Sequence, residues 1–141
     1  MSDYELRGVP STQVDLVWTP VNHFIQAALD RTEGEMSIND VYNSLLDKDM
    51  QLWILLDGLH VIGALVTQIL AFPNVTACRY VAMGGDVHGD FEEITDIVEQ
   101  WAATQGCQRM EIVGRPGWAR ALKDFGYHQA YSYVTKRIEV Q

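Results

Sequence analysis

Three apolar runs lie between Leu52 and Met83 with very little chain between them. Leu52-Trp-Ile-Leu-Leu56 leads into Asp57-Gly58, a strong turn signal, and Val61-Ile-Gly-Ala-Leu-Val-Thr67 opens a second run that stays apolar to Phe72. Pro73-Asn74 ends that run, and Val75 to Met83 makes the third. A parallel connection needs a crossover of about a dozen residues or more, and these turns are far shorter. The three strands are therefore expected to pair as an antiparallel meander.

Beyond the meander the pattern changes. In Arg79-Tyr-Val-Ala-Met-Gly-Gly-Asp-Val-His-Gly-Asp-Phe91 an apolar strand runs into a glycine-rich turn and then into a helix. Asp90 is the expected cap, with Glu93 in capping-box position. Phe91, Ile94, Val98 and Trp101 would form the apolar stripe, and Gly106 the C-terminal stop. A strand–glycine–helix junction leaves several helix-start N–H groups without intrahelical partners, so it can bind a phosphate or another anion.

Periodicity gives the remaining elements. Tyr4 to Val9 reads as a short strand. Val14, Val17, Trp18, Val21, Phe24, Ile25 and Ala28 recur at helical spacing, with Pro20 a point of break or restart. Ser37 caps a second helix, with Asp40 in place of the usual capping-box Glu, and Val41, Leu45 and Leu46 are its expected buried face. Met110 to Val113 is a short strand. Pro116 opens a brief helix bearing Trp118, Ala121, Leu122 and Phe125, which Gly126 ends. Tyr127 to Ile138 is read as a closing, alternating extended segment. The whole is an α+β pattern, a mostly antiparallel mixed sheet with helices on both faces, in one domain over 1–141.

Composition narrows the function classes. With 141 residues, 48% of them hydrophobic, the chain suits one core. No apolar run reaches the roughly 18 residues that span a bilayer, and Met1 to Arg7 lacks the basic-then-apolar order of a signal peptide. Cys78 and Cys107 are far apart, in apolar surroundings, and are expected as free thiols of a reducing compartment. The cytoplasm is the expected location. Nineteen acids against ten bases give a net charge of −9, which argues against nucleic acid and anionic lipid. Such a surface suits a cationic partner, or serves solubility alone.

The order helix, helix, meander, long helix, strand, short helix, closing strand resembles the Gcn5-related N-acetyltransferase (GNAT) fold over nearly the whole chain. Asp57-Gly58 before Val61-Ile-Gly-Ala64 resembles that family's hairpin, and Phe125-Gly126-Tyr127 resembles its terminal Gly-Phe signature. Gly84-Gly85, Trp101-Ala102, Gly114-Arg-Pro-Gly-Trp118 and Lys136 resemble small GNAT-like proteins of tailed phages and prophages. The resemblance implies that acetyl-CoA or another acyl-CoA lies along Ala82, Met83, Gly84, Gly85, Val87, His88, Gly89 and Asp90, with Arg115 nearby. Its pyrophosphate would sit on the glycine junction. The pantetheine arm would pair with backbone between two splayed strands.

Two departures stand out. The family's loop begins with Arg or Gln, whereas Gly84-Gly-Asp-Val-His-Gly-Asp90 has neither. Asp86 and Asp90 would repel the pyrophosphate unless their carboxylates turn away, by on the order of 4 kcal/mol at ~4 Å before screening. Many members also carry a tyrosine four residues before the Gly of the signature, where it protonates the departing thiolate. Leu122 stands there, and a hydrocarbon donates no proton.

Acyl transfer to an amine needs a base or water chain and donors for the carbonyl oxygen. His88 is the first candidate base, with phosphate contact or plain solvation as its other readings. Tyr127, Tyr131 or Tyr133 would replace the missing acid, with packing as the other reading of at least one of them. Glu111 either polarises water or faces solvent. Arg115 either grips a carboxylate or phosphate, or pairs with Asp86, Asp90 or Glu111. The four histidines have no metal-ligand spacing, and no nucleophile elbow or Lys-Ser/Thr phosphate loop is present. Two functions remain in view. One is an acyl-CoA-dependent N-acyltransferase acting on a small-molecule or protein amine. The other is a noncatalytic interaction or virion-associated module, with a homodimer through the C-terminal strand as one form of partnership.

Overall fold

The computed structural model describes residues 4–85, 91–114 and 116–139. The chain divides into two units, Met1–Glu111 and Ile112–Gln141. In chain order its elements are β1 (Tyr4–Val9), α1 (Val14–Leu29), α2 (Ile38–Leu46), β2 (Gln51–Asp57), β3 (His60–Ala71), β4 (Thr76–Gly85), α3 (Phe91–Thr104), β5 (Arg109–Ile112) and α4 (Pro116–Leu122). A 3-10 turn, Lys123–Phe125, comes after α4 and ends at Gly126, whose φ of 89° is left-handed.

The strands form one sheet in the order β1-β2-β3-β4-β5. The expected meander is present: β1 with β2, β2 with β3 and β3 with β4 are all antiparallel. At the far edge the Gln108 N–H donates to the Thr76 carbonyl at 2.7 Å, and Arg79 pairs with Glu111. Both partners advance by three residues between these contacts, so β5 runs parallel to β4. The α3 crossover permits that direction.

Both faces of the sheet are covered, which is why β2 reads as an unbroken apolar run. Leu52 and Ile54 of β2, Ala64 and Val66 of β3, and Ala82 of β4 share one core cluster with Val14, Val21, Ile25 and Leu29 of α1 and Val41 and Leu45 of α2. On the opposite face the buried Trp53 meets Trp101 of α3 edge-on, ring centroids 5.2 Å apart. Its indole N–H donates to Thr67 Oγ1 at 3.0 Å, and that hydroxyl donates to Gln51 Oε1 at 2.9 Å. The indole's polar edge is thereby satisfied inside the core.

The helix signals mostly hold. Ser37 Oγ accepts from the Asp40 N–H at 3.2 Å, while Asp40 Oδ2 accepts from the Ser37 N–H at 2.8 Å, a complete capping box. α1 passes through Pro20 without a break; the carbonyl that loses its partner belongs to the exposed Leu16, where water can satisfy it.

Four expectations need correction. Leu46 is exposed, because α2 ends there and only Val41 and Leu45 face the core. Ala121 is exposed as well. The buried stripe of α3 is Ile94, Thr95, Val98 and Ala102, so Phe91 and Trp101 lie at its margin, half-buried. Most important, 127–139 forms neither helix nor strand. Its large apolar residues fall on both parities, Tyr131 and Tyr133 on one and Val134 and Ile138 on the other. No single face could be buried against a sheet.

Candidate functional site

The candidate site is built around the end of β4. Sequence places Gly84 and Gly85 in a turn, but both continue the strand, Gly84 opposite Ala64 and Gly85 opposite Gly63 of β3. The glycines answer to the protein's own packing. A Cβ on Gly84 would lie 2.1 Å from the Phe24 carbonyl oxygen, so α1 rests directly on this strand end. Gly85 has φ of 108°, and a Cβ there would meet Gly63 Cα and the Ile62 carbonyl oxygen, each at 2.4 Å.

A few residues earlier β4 changes course. Val66 pairs with Ala82 and Thr67 with Tyr80, which leaves Val81 as an extra residue, a β-bulge. Bulges bend the strand that carries them and sharpen its twist. The same level marks the end of β5: Glu111 lies beside Arg79, and the strand stops one residue later. The bulge of β4 thus falls where its parallel neighbour runs out, and the side of Val81–Gly85 turned away from β3 has no strand beside it among the described residues. An extended amide-bearing ligand can hydrogen-bond to such an edge.

Of the other residues expected in the site, Ala82 is buried against α1 and Met83 is half-buried. Asp86, Val87, His88, Gly89, Asp90 and Arg115 lie outside the described residues. The cap of α3 by Asp90 is therefore outside them too. Leu122 is 1% exposed. Tyr127 is half-buried, its N–H donating to the Leu122 carbonyl at 3.3 Å. Tyr131 is 87% exposed and Tyr133 80%, and the segment that carries them is not a strand.

Glu111 fits neither of its sequence readings. Its Oε1 accepts from Arg79 Nε at 2.7 Å and lies 2.6 Å from a second Arg79 nitrogen. Its Oε2 is 3.3 Å from Arg109, whose guanidinium also lies over the Phe72 ring. Held by two cations, this carboxylate fastens β5 to β4. Cys78 and Cys107 are free thiols, Cys78 buried and Cys107 half-buried. Burial pushes the Cys78 thiol up to about 12 and raises Cys107 as well, so neither offers a thiolate near neutrality. Among the described residues no three His, Cys, Asp or Glu side chains converge as metal ligands. Nor is any helix there long and apolar enough to cross a membrane.

A second concavity went unnoticed in the sequence. An open groove of about 430 Å³ runs between α1 and α2, its lining including Trp18, Asn22, His23, Gln26, Asp30, Ile38 and Asn39. Trp18 reads as core by its apolar character. It packs against Tyr42, centroids 5.2 Å apart, and turns its remaining surface to the groove. The available signal was Trp18, Asn22, Gln26 and Asp30 at successive i, i+4 positions, one polar row beside the apolar stripe.

No protein-family model matches the chain, and no curated protein sequence is significantly similar to it. Solved structures are similar over almost its full length. An aminoglycoside acetyltransferase from an uncultured soil metagenomic sample has a TM-score of 0.71 at 14% identity, covering 99% of this chain and 100% of its own. The acetyltransferase AAC(6')-Iy, in complex with a bisubstrate analogue, CoA-S-monomethyl-acetylneamine, gives 0.70 at 13%, covering 99% and 100%. A predicted acetyltransferase from Clostridium acetobutylicum, with acetyl-CoA, gives 0.68 at 12%, covering 95% and 96%. The chain has the GNAT fold. At such identities the likeness concerns the fold and leaves the reaction to be argued from the site.

Proposed function

We propose that this protein is an acyl-CoA-dependent N-acyltransferase acting on an amine. The observation that carries the reading is the bulge of β4 at Val81 where β5 ends, with no strand among the described residues on the side of Val81–Gly85 away from β3. Similar structures with the same fold hold acetyl-CoA or a CoA bisubstrate analogue, and that supports the choice of ligand class. When bound, acyl-CoA supplies the thioester carbonyl that the amine attacks.

Each part of the chain then has its own task. The β4 edge receives the extended arm through backbone hydrogen bonds. N–H groups of Gly85 to Gly89 face the phosphates and the developing oxyanion. His88 accepts the amine proton, and Tyr127 or Tyr131 supplies one to the departing thiolate in place of Leu122. Arg115 binds a phosphate. These assignments rest on sequence position and on the resemblance, as do a cytoplasmic location and an origin in a phage or prophage.

Isothermal titration with acetyl-CoA and with free CoA tests the reading. Micromolar binding that Gly89→Trp abolishes, without loss of the folded state, is the expected result. No heat and no thermal shift at millimolar ligand overturn it. One observation favours a second reading, an interaction module: Tyr131, Tyr133, Val134 and Ile138 are all exposed, Val134 by 90%. Concentration-dependent dimerisation lost on truncation after Ala130 is its signature.

A further inference from the structure

β5 is a short strand fastened to β4 near each of its ends. At its start the Gln108 N–H donates to the Thr76 carbonyl at 2.7 Å, and Gln108 Oε1 accepts from the Thr76 N–H at 3.1 Å. Three residues on, Glu111 Oε1 accepts from Arg79 Nε at 2.7 Å and lies 2.6 Å from a second Arg79 nitrogen. The two fastenings differ in kind. The first is a pair of neutral hydrogen bonds. The second is an ion pair whose carboxylate side chain is only 18% exposed, where water and salt screen it less.

Glu111 also stands between two like charges. Its Oε2 lies 3.3 Å from Arg109, so guanidiniums from β4 and from β5 meet on one carboxylate. With that charge gone, Arg79 and Arg109 would repel each other across the two strands. The position of this junction is what gives it meaning. Two residues beyond Arg79 comes the Val81 bulge, and one residue beyond Glu111 the strand ends. The carboxylate therefore holds β5 on β4 up to the level at which the two strands part, and not past it.

We propose that Glu111, acting through Arg79, is a positioning residue for the ligand edge of β4. It fixes the point at which β4 and β5 separate, and with it the course on which the bulged strand presents Val81–Gly85. This role rests on the acyl-CoA reading given above. Glu111 acts through the β4 backbone and meets no reacting atom itself. A bulge re-aims the strand that carries it, so the segment just before it sets the direction of what comes after. An extended ligand needs donors and acceptors at fixed spacing along that edge. A shift of about 1 Å takes an N–H···O contact out of range. Gln108 supplies the comparison: it fastens the same two strands, but about 10 Å farther from the parting point.

The test is calorimetric titration of acetyl-CoA into the wild type, Glu111→Gln, Arg79→Lys and Gln108→Ala, with the NMR amide spectrum of each free protein beside it. Glu111→Gln keeps the size of the side chain and removes its charge. It should weaken acetyl-CoA about tenfold and move the amide signals of Val81 to Gly85 in the free protein. Arg79→Lys keeps the charge without the two-nitrogen grip and should weaken binding about threefold. Gln108→Ala should lower the melting temperature, yet bind as the wild type does and leave those amide signals in place. Wild-type affinity in Glu111→Gln, or in Arg79→Lys where only that variant folds, overturns the proposal. So does an equal loss in Gln108→Ala, which would make both fastenings a matter of stability alone. A wild type that takes up no acetyl-CoA removes the acyl-CoA reading and this role with it. A wild type that binds, with all three variants unchanged, removes the role alone.

Discussion

At Gly84 a single β-carbon would drive into backbone, because the atom in its way is the carbonyl oxygen of Phe24 at 2.1 Å. Backbone of a packed helix cannot rotate aside as a side chain can, so α1 or β4 must shift. Gly84→Ala is expected to lower stability by about 3 kcal/mol in chemical denaturation. Gly117→Ala makes the contrast: nothing lies within 4 Å of its Cβ position, and as a helical residue it should gain up to about 1 kcal/mol. Sequence made the glycines of the junction visible as a ligand cradle. That α1 presses on one of them was hidden, since the contact joins residues 24 and 84. Cys78 supports a different measurement. Its folded value is raised from 9.0 to about 12 by burial, so the stability that comes with the protonated thiol is complete below about pH 9. Above it the unfolded chain releases the proton while the folded chain holds it, and stability falls with pH until about 12. The slope between pH 9 and 11 should be shallower in Cys78→Ala.

Elements were legible where a local rule decides them. The Ser37 capping box, the Asp57-Gly58 hairpin and the Gly106 and Gly126 stops all depend on residues within a few positions of each other, and all are present. The closing strand was misread because a strand exists only with a partner, and alternation of Tyr131 to Ile138 describes half of that pair. The bulge at Val81 was likewise invisible, since it is a mismatch in count between β3 and β4 and leaves no mark in either alone. For α2 the capping box carries a prediction with a sign. Hydrogen bonds from the Ser37 backbone and hydroxyl hold the Asp40 carboxyl below its ordinary 3.8. Its contribution is present at neutral pH and above the ordinary value, and is lost as pH falls through the lowered one. Ser37→Ala should cost about 1 kcal/mol at pH 7. The deficit should shrink in acid as the wild-type cap also loses its ionised partner.

For the whole molecule, the arrangement of α1 is what links the parts. Its apolar stripe covers the sheet, its Phe24 carbonyl closes on β4, and its polar row faces α2. Beside it the sheet changes from a tight meander to a bulged strand whose side away from β3 has no strand past the end of β5 among the described residues. A fold that only buried a core would gain nothing from that open edge, which exposes backbone groups and invites wrong pairing. The proposed activity therefore stands or falls on whether Val81–Gly85 receives an extended ligand. Amide hydrogen exchange across these residues, with and without saturating acetyl-CoA, is the direct measurement. Slowed exchange confined to Val81–Gly85 and the adjoining junction, with the β2–β3 hairpin unchanged, is the predicted result. Identical exchange in the two samples would contradict it and leave the bulged edge a structural feature alone.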